Sequence, residues 1–373
     1  MTTPDVTSTR SQRVVIVGGS LVGLSAAIAL ARRDVQVTVL ERTPRGGYEG
    51  GGGLGVDVDL LRTVTGLADS PPVCRGIDRD TTAWPLLASW LEAHANAMPG
   101  IDVQRGSHVV EVGDGFVVTA DGRRLDGDLV IGADGARSTV RRWVSPDRTD
   151  AVYAGFLLWR AMVAESELPA AIPWLEPNEP SREYYSGPYR LVTYPVPGAD
   201  GSSVPGARRL NLVWYDPAHA ELLAERGLLD GETVHGTLAA ADVPAQLRQE
   251  LEEVASQRWP TPWREALEIA LRRSLVFATP VVHYRPDRLI RGRVALAGDA
   301  AHAASPMVGG GFRQGLYDVA ALDAEVRRRP GLALTSVLSP YEQQRLPSAQ
   351  AHVERSQAAS IHYLERWHRT VES

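Results

Sequence analysis

Three stretches of the chain combine residue types and spacings from which chemistry could be built. The first, Gly18-Gly19-Ser20-Leu21-Val22-Gly23, follows a β-branched run from Arg13 to Val17 and opens a small-residue helical pattern that reaches Arg33. Gly18 permits a tight turn, the position held by Ser20 brings backbone against a pyrophosphate, and Gly23 lets helix and strand pack closely. The N–H groups that begin the helix, around Leu21 and Val22, then face phosphate. Glu41 ends a second strand about 20 residues on, where a carboxylate accepts from ribose hydroxyls and repels a 2′-phosphate. The pattern favours FAD or NAD over NADP at this site. Ser20 departs from it by adding a Cβ and a hydroxyl where the second glycine belongs. A tight turn in an unrelated α/β fold is the bland alternative, disfavoured because strand, turn, helix and acid all fall where the motif needs them.

The second stretch is Gly132-Ala133-Asp134-Gly135-Ala136-Arg137-Ser138-Thr139-Val140-Arg141, and the third runs from Gly298-Asp299-Ala300-Ala301-His302 through Pro306-Met307-Val308 to Gly309-Gly310-Gly311-Phe312. His302 invites a role as general base; its bland reading is support of the backbone near a ligand. Arg160 sits among Leu157, Leu158, Trp159 and Met162, so if buried it needs a partner, and a structural salt bridge is the simpler expectation. Trp159, Trp214 and Tyr215 could stack on a substrate, although aromatic residues alternating in strands more commonly fill a core. Tyr184, Tyr185 and Tyr194 are candidates to hydrogen-bond a substrate hydroxyl.

The elements that must position these groups follow from periodicity. Strand Arg13 to Val17, the helix after it and strand Val35 to Leu40 form a βαβ opening. A glycine-dense segment comes next, with Gly46, Gly47, Gly50, Gly51, Gly52, Gly53 and Gly55, and implies a tightly folded or mobile loop. Trp84 to Ala95 reads as an amphipathic helix, and Val103 to Leu129 as strands turning at Gly113-Asp114-Gly115 and Asp121-Gly122. From about Tyr153 to Tyr215, β-branched and aromatic positions alternate between Pro and Gly turns, which predicts antiparallel sheet. Helices are expected from Ala218 to Arg273, a strand from Val294 to Leu296, and a charged helical tail from Ser339 to Arg369. The nucleotide domain is thus interrupted by the sheet: residues 1–75, 100–155 and 275–373 bind the dinucleotide, and residues 76–99 and 156–274 form the substrate domain.

Bulk properties narrow the function further. At 373 residues, with 35 Gly, 25 Pro and 44% hydrophobic residues, the chain fits two domains of an ordinary globular protein. A net charge of -6 disfavours nucleic acid or an anionic membrane as the main partner. The single cysteine, Cys74, excludes an internal disulfide and a cysteine-based metal cluster, so no metal is expected and a reducing cytoplasm is the natural compartment. Met1 to Gln12 lack an apolar signal region. Every basic residue is an arginine; the chain has no lysine.

The three motifs, in this order and spread over nearly the whole chain, resemble the signatures of the FAD-dependent aromatic hydroxylases, the group A flavin monooxygenases. The likeness extends to Tyr153–Arg160, Tyr194–Gly198 and Leu210–Tyr215, which look like the 2,6-dihydroxypyridine and salicylate hydroxylase branch. The resemblance implies an α/β (α+β) fold, with a Rossmann-like FAD domain interrupted by an antiparallel substrate sheet and closed by C-terminal helices. It implies non-covalent FAD, NADH or NADPH as co-substrate, O2, a small-molecule substrate, and a homodimer as a compatible assembly. In such an enzyme reduced flavin and oxygen give a C4a-hydroperoxide that oxygenates a small aromatic, heteroaromatic or enolic substrate. Gly18, Ser20, Leu21, Val22, Gly23, Glu41, Arg42, Asp134, Gly298, Asp299, Ala300, Pro306, Gly309, Gly310, Gly311 and Phe312 would hold the flavin nucleotide, with Glu41 on the adenosine ribose and Asp299 on the ribityl chain. Pro306, Arg160, Tyr194 and His302 would form the catalytic set, and Tyr185, Trp214 and Val308 would touch substrate. The sequence departs from the family at Gly310 and Arg313, and the pyrophosphate arginine often found after the glycine loop is absent from Trp84–Ser89, leaving Arg42 or Arg105 to take its place. A flavin halogenase is disfavoured because that family relies on an active-site lysine. A Baeyer–Villiger oxygenase or epoxidase on the same scaffold is the main alternative, followed by a redox-neutral flavoprotein cyclase or a non-catalytic FAD-binding protein.

Overall fold

The computed structural model describes residues 11–44, 51–76, 79–169, 182–187 and 189–371. Gly46, Gly47 and Gly50 of the glycine-dense segment lie outside the described residues. Short apolar runs bounded by turns form a six-stranded sheet in the order Ile290–Arg291, Val294–Leu296, Leu129–Gly132, Arg13–Val17, Gln36–Glu41 and Ile101–Arg105. All its pairings are parallel except that of Ile290–Arg291 with Val294–Leu296. Val14 to Val17 and Leu129 to Ile131 are buried without interruption, as a strand covered on both faces requires. The alanine-rich helix Leu21–Ala31 lies against this sheet, where small side chains permit a close approach. Chain order reverses between Arg13–Val17 and Leu129–Gly132, and a crevice opens outside the carboxyl ends of such strands. All three glycine motifs leave from those ends.

A second sheet has seven strands, with Arg182–Ser186, Tyr189–Val196, Arg209–Asp216 and Val152–Ala164 adjacent in that order and Phe277–His283 also paired to Val152–Ala164. It is antiparallel, as the alternating pattern predicts. Period-two alternation sends successive side chains to opposite faces. Leu157, Trp159, Ala161 and Val163, with Leu210, Leu212 and Trp214, pack under the helices Ala245–Arg258 and Trp263–Arg272. Leu158, Val213 and Tyr215 point the other way, toward Tyr363 of the C-terminal helix Leu338–Val371 and toward the crevice. The helix expected from Trp84 spans Trp84–Ala97 and buries Leu87, Ala88, Leu91 and Ala95 in the core of the parallel sheet. This segment, assigned from sequence to the substrate domain, therefore packs with the nucleotide sheet, because its apolar face meets helix Leu21–Ala31. Among the described residues, no helix is long and apolar enough to cross a membrane.

Candidate functional site

One cavity of about 780 Å³ runs from the first glycine turn to the inner face of the antiparallel sheet. At the nucleotide end, a Cβ added to Gly18 would lie 2.3 Å from the Ala133 carbonyl oxygen, and one added to Gly23 would lie 1.9 Å from the Gly18 oxygen. The two positions thus accept only glycine: Gly18 abuts the second motif, and Gly23 packs behind the turn. Ser20 begins the helix without capping it through its side chain, so its hydroxyl is available to the cavity that it lines. Glu41 accepts from the Gly19 and Thr43 amides, each at 2.8 Å, which fixes the carboxylate at the edge of the crevice. Asp134 accepts from Ser138 Oγ at 2.5 Å and from the Thr139 and Val140 amides at 2.7 and 3.2 Å. Burial pushes its pKa up against those hydrogen bonds. Arg42 and Arg137 both line this end, and the Arg137 pKa is lowered first by burial and then by the nearby positive charge of Arg42. Arg137 also donates to the His235 carbonyl, and two guanidiniums lining the same end of the cavity suit an anion there.

A buried ionic net sets the third turn. Asp318, wholly buried, accepts from the Gly298 amide at 2.9 Å, His302 Nε2 at 2.7 Å and Arg345 Nε at 2.7 Å. Burial by itself would lower the His302 pKa; Asp318 outweighs it and raises it, while His302 and Arg345 hold the Asp318 carboxyl below its ordinary range against burial. Arg141, 1% exposed, donates to the carbonyls of Ala300, Ala136 and Asp299 at 2.9, 2.7 and 2.8 Å and stacks 4.0 Å over Tyr284. It therefore binds the second motif to the third. Asp299 itself opens onto the cavity, where desolvation by the surrounding protein pushes its carboxyl up. Beyond it, Pro306 to Phe312 form one wall. Gly309 and Gly310 have φ of 62° and 78°, left-handed values that suit glycine and turn the chain into helix Gly311–Arg328.

The sheet supplies the opposite wall with Leu158, Arg160, Arg190, Val192, Tyr194, Val213 and Tyr215. The strand Gly53–Val56 is gripped from this wall, since Asn211 Oδ1 accepts from the Gly53 amide at 2.7 Å and Arg160 Nη2 donates to the Gly53 carbonyl at 2.9 Å. Arg160 Nε and Asn211 Nδ2 are buried without a hydrogen-bond partner. Arg190 pairs with Glu183 at 2.6 Å and lies 4.5 Å over the Tyr215 ring. Burial raises the pKa of Tyr194, opposed by Arg160 and Arg79, and raises that of Tyr215 to about 12. Both phenols are therefore hydrogen-bond donors at neutral pH.

Of the residues singled out from sequence, Gly18, Ser20, Leu21, Val22, Glu41, Arg42, Asp134, Asp299, Pro306, Gly309, Gly310, Gly311, Phe312, Arg160, Tyr194 and Val308 converge on this cavity. Gly23, Gly298 and Ala300 shape it from behind. Five expectations are corrected. His302 is sealed against Asp318 with no exposed side-chain surface and cannot reach a ligand as base. Trp214, 1% exposed, points to the helical face because its strand register puts odd-numbered Val213 and Tyr215 on the cavity side. Tyr185 is 49% exposed, outside the cavity, bonded to Glu183 and covered by Arg366. Arg160, among the described residues, meets a carbonyl rather than a carboxylate. Arg105 is also removed from the phosphate set, since it pairs with Glu92 through two 2.6 Å contacts. Arg79, Arg137, Arg190 and Asn211 were missed. For Arg190 the signal was present: Arg190, Val192 and Tyr194 alternate on one strand.

The fit of this cradle to a flavin dinucleotide is supported by its crowded glycines, by the helix N-termini at Leu21 and Gly311 that line it, and by the guanidiniums of Arg42 and Arg137 at the same end. Family profiles agree. One described as FAD binding domain matches residues 245–356, one described as FAD binding domain-like matches 153–274, and a NAD(P)-binding Rossmann-like domain matches 16–49. The chain is 25% identical to 2,6-dihydroxypyridine 3-monooxygenase of Paenarthrobacter nicotinovorans, over 93% of this chain and 90% of that one. It is 29% identical to 3-amino-4-hydroxybenzoate 2-monooxygenase of Streptomyces cremeus, over 92% and 86%. The fold matches the structure of 2,6-dihydroxypyridine-3-hydroxylase from Arthrobacter nicotinovorans with a TM-score of 0.75 at 21% identity, covering 94% of this chain and 92% of that one. In its turns, its roofing sheet and these likenesses the chain is similar to FAD-dependent aromatic hydroxylases.

Proposed function

We propose that this chain is a monooxygenase that uses FAD, a reduced nicotinamide and O2 to hydroxylate a small aromatic, heteroaromatic or enolic substrate. The observation that carries the reading is the continuity of one cavity from Glu41, past Pro306 to Phe312, to the side chains of the sheet. Bound flavin, once reduced, supplies the oxygen activation. The protein's own part is positional. Glu41 would hold the adenosine ribose, Arg42 and Arg137 with the amides behind Ser20 would hold the pyrophosphate, and Asp299 would hold the ribityl chain. The amides that begin helix Gly311–Arg328 would help hold the flavin and stabilise the negative charge of its reduced form. Met307 and Val308 exclude water beside Pro306, and Tyr194 donates to a substrate oxygen.

Two units are proposed to divide the work, with helix Trp84–Ala97 moved to the nucleotide-binding one and the antiparallel sheet keeping the substrate. The lone cysteine supports a reducing, cytoplasmic setting. The test is oxidation of NADH and NADPH by the FAD-loaded protein across phenols, hydroxypyridines and enols, with product mass followed in parallel. A product heavier by one oxygen atom, formed with nicotinamide oxidation, supports the proposal. Bound FAD with no substrate-dependent nicotinamide oxidation would sink it and favour a redox-neutral or non-catalytic flavoprotein.

A further inference from the structure

The face that the C-terminal helix Leu338–Val371 turns inward is polar where packing alone would make it apolar. From Arg345 on, its buried positions among the described residues are Arg345, Ala349, His352, Val353, Ser356, Ser360 and Tyr363. Spacings of three and four residues keep them on one side of the helix. A helix that only buries area carries aliphatic side chains there, because a hydroxyl or imidazole taken from water costs free energy unless it is hydrogen-bonded. Arg345 serves Asp318. Farther along, Ser356 and Tyr363 end on the walls of the cavity.

Ser356 Oγ accepts from the Ser305 amide at 2.7 Å and lies 3.1 Å from Nε2 of His283, a histidine whose pKa burial lowers to about 4. Ser305 in turn accepts through its hydroxyl from the Met307 amide at 3.3 Å and so begins the Pro306–Val308 turn. Ser305 to Val308 line the cavity on one side. Two helical turns beyond Ser356, Tyr363 donates to the Tyr215 carbonyl at 2.9 Å and packs edge-on against the rings of Phe156 and Tyr215. Tyr215 lines the cavity from the sheet side. Seven residues of helix separate the two grips, a stiff spacer of about 10 Å. We propose that Ser356 and Tyr363 are positioning residues: with the helix between them they hold the Pro306 turn and the Tyr215 strand at a fixed separation, and so set the gap in which flavin and substrate would meet. This rests on the monooxygenase reading above and adds to it what fixes the geometry of that site.

The experiment compares FAD-loaded Ser356→Ala, Tyr363→Phe, the double variant and Ser360→Ala by the visible absorption and circular dichroism of the bound flavin, with denaturation midpoints measured in parallel. Ser360 is the control, since it lies on the same stripe and, among the described residues, hydrogen-bonds to His283 alone, at 3.4 Å. Each single variant at a grip should keep its FAD and shift the flavin bands, and Ser360→Ala should lower the midpoint without shifting them. Freeing either end already frees the spacing, so the double variant should shift the bands no further than the stronger single one, whereas two unrelated contacts would add. Tyr363→Phe removes one hydroxyl and keeps the ring, so it decides the matter against Ser360→Ala even where Ser356→Ala does not fold. Unchanged bands in Tyr363→Phe, an equal shift in Ser360→Ala, or additive shifts in the double variant would each overturn the proposal while FAD stays bound. Failure of the parent protein to take up FAD would instead strike the reading beneath it.

Discussion

The two walls of the cavity are built by different means. At the nucleotide wall backbone amides, aimed by glycine turns and fixed from behind by Asp318, His302, Arg345 and Arg141, work beside the side chains of Glu41, Arg42, Arg137 and Asp299. At the sheet wall the working groups are side chains, and a residue's face depends only on strand register. Buried charge does the holding in the first and hydrophobic packing in the second. The same loss of stability should therefore have different functional consequences in the two regions.

Asp318→Ala and Trp214→Ala make that contrast sharp. Removing Asp318 leaves His302 and Arg345 buried without their partner, at a cost of about 3–5 kcal/mol. Truncating Trp214 empties a site in the helical face of the sheet, at a cost of about 3–5 kcal/mol. Denaturant unfolding should report similar losses, yet only Asp318→Ala should also release FAD, seen as flavin content per chain. Equal flavin retention in the two variants would break the comparison. Asn211→Ala probes the seam, because it strips the Gly53 amide of its acceptor; we expect a loss of about 1–3 kcal/mol in the same unfolding measurement. A neutral result would show that the sheet does not hold the glycine strand.

The smallest effect is a pH dependence near the C-terminal helix. His283 and His352 are buried, and burial lowers each pKa to about 4. Their unfolded forms bind protons at higher pH than their folded forms, so stability is present above the usual histidine pKa and falls as pH drops from there toward 4. His283→Leu should flatten part of that slope in denaturation midpoints measured across this window. An unchanged slope would remove His283 from the account.

Legibility in the sequence followed the same division. Gly18, Gly23, Glu41 and the third turn could be read because backbone geometry restricts the residue type at each position and the chain spacing is local. The sheet could be recognised from alternation, but its faces could not be assigned until pairing set the register, so Trp214 was put on the wrong side and Arg190 overlooked. Asp318 and Arg345 escaped because their partners are distant in sequence, and nothing in helix Gly311–Arg328 distinguishes a buried aspartate from a solvated one. Arg141 lay within a motif already noticed; its role became visible only when the carbonyls of Ala300 and Asp299 came within reach.

The most direct test of the central claim is to strip the purified protein of any cofactor and titrate it with FAD, following flavin absorbance and fluorescence. Saturation at one FAD per chain, with weaker uptake in Asp318→Ala, is the expected result. Correctly folded protein that remains colourless and leaves added FAD unbound would contradict the account.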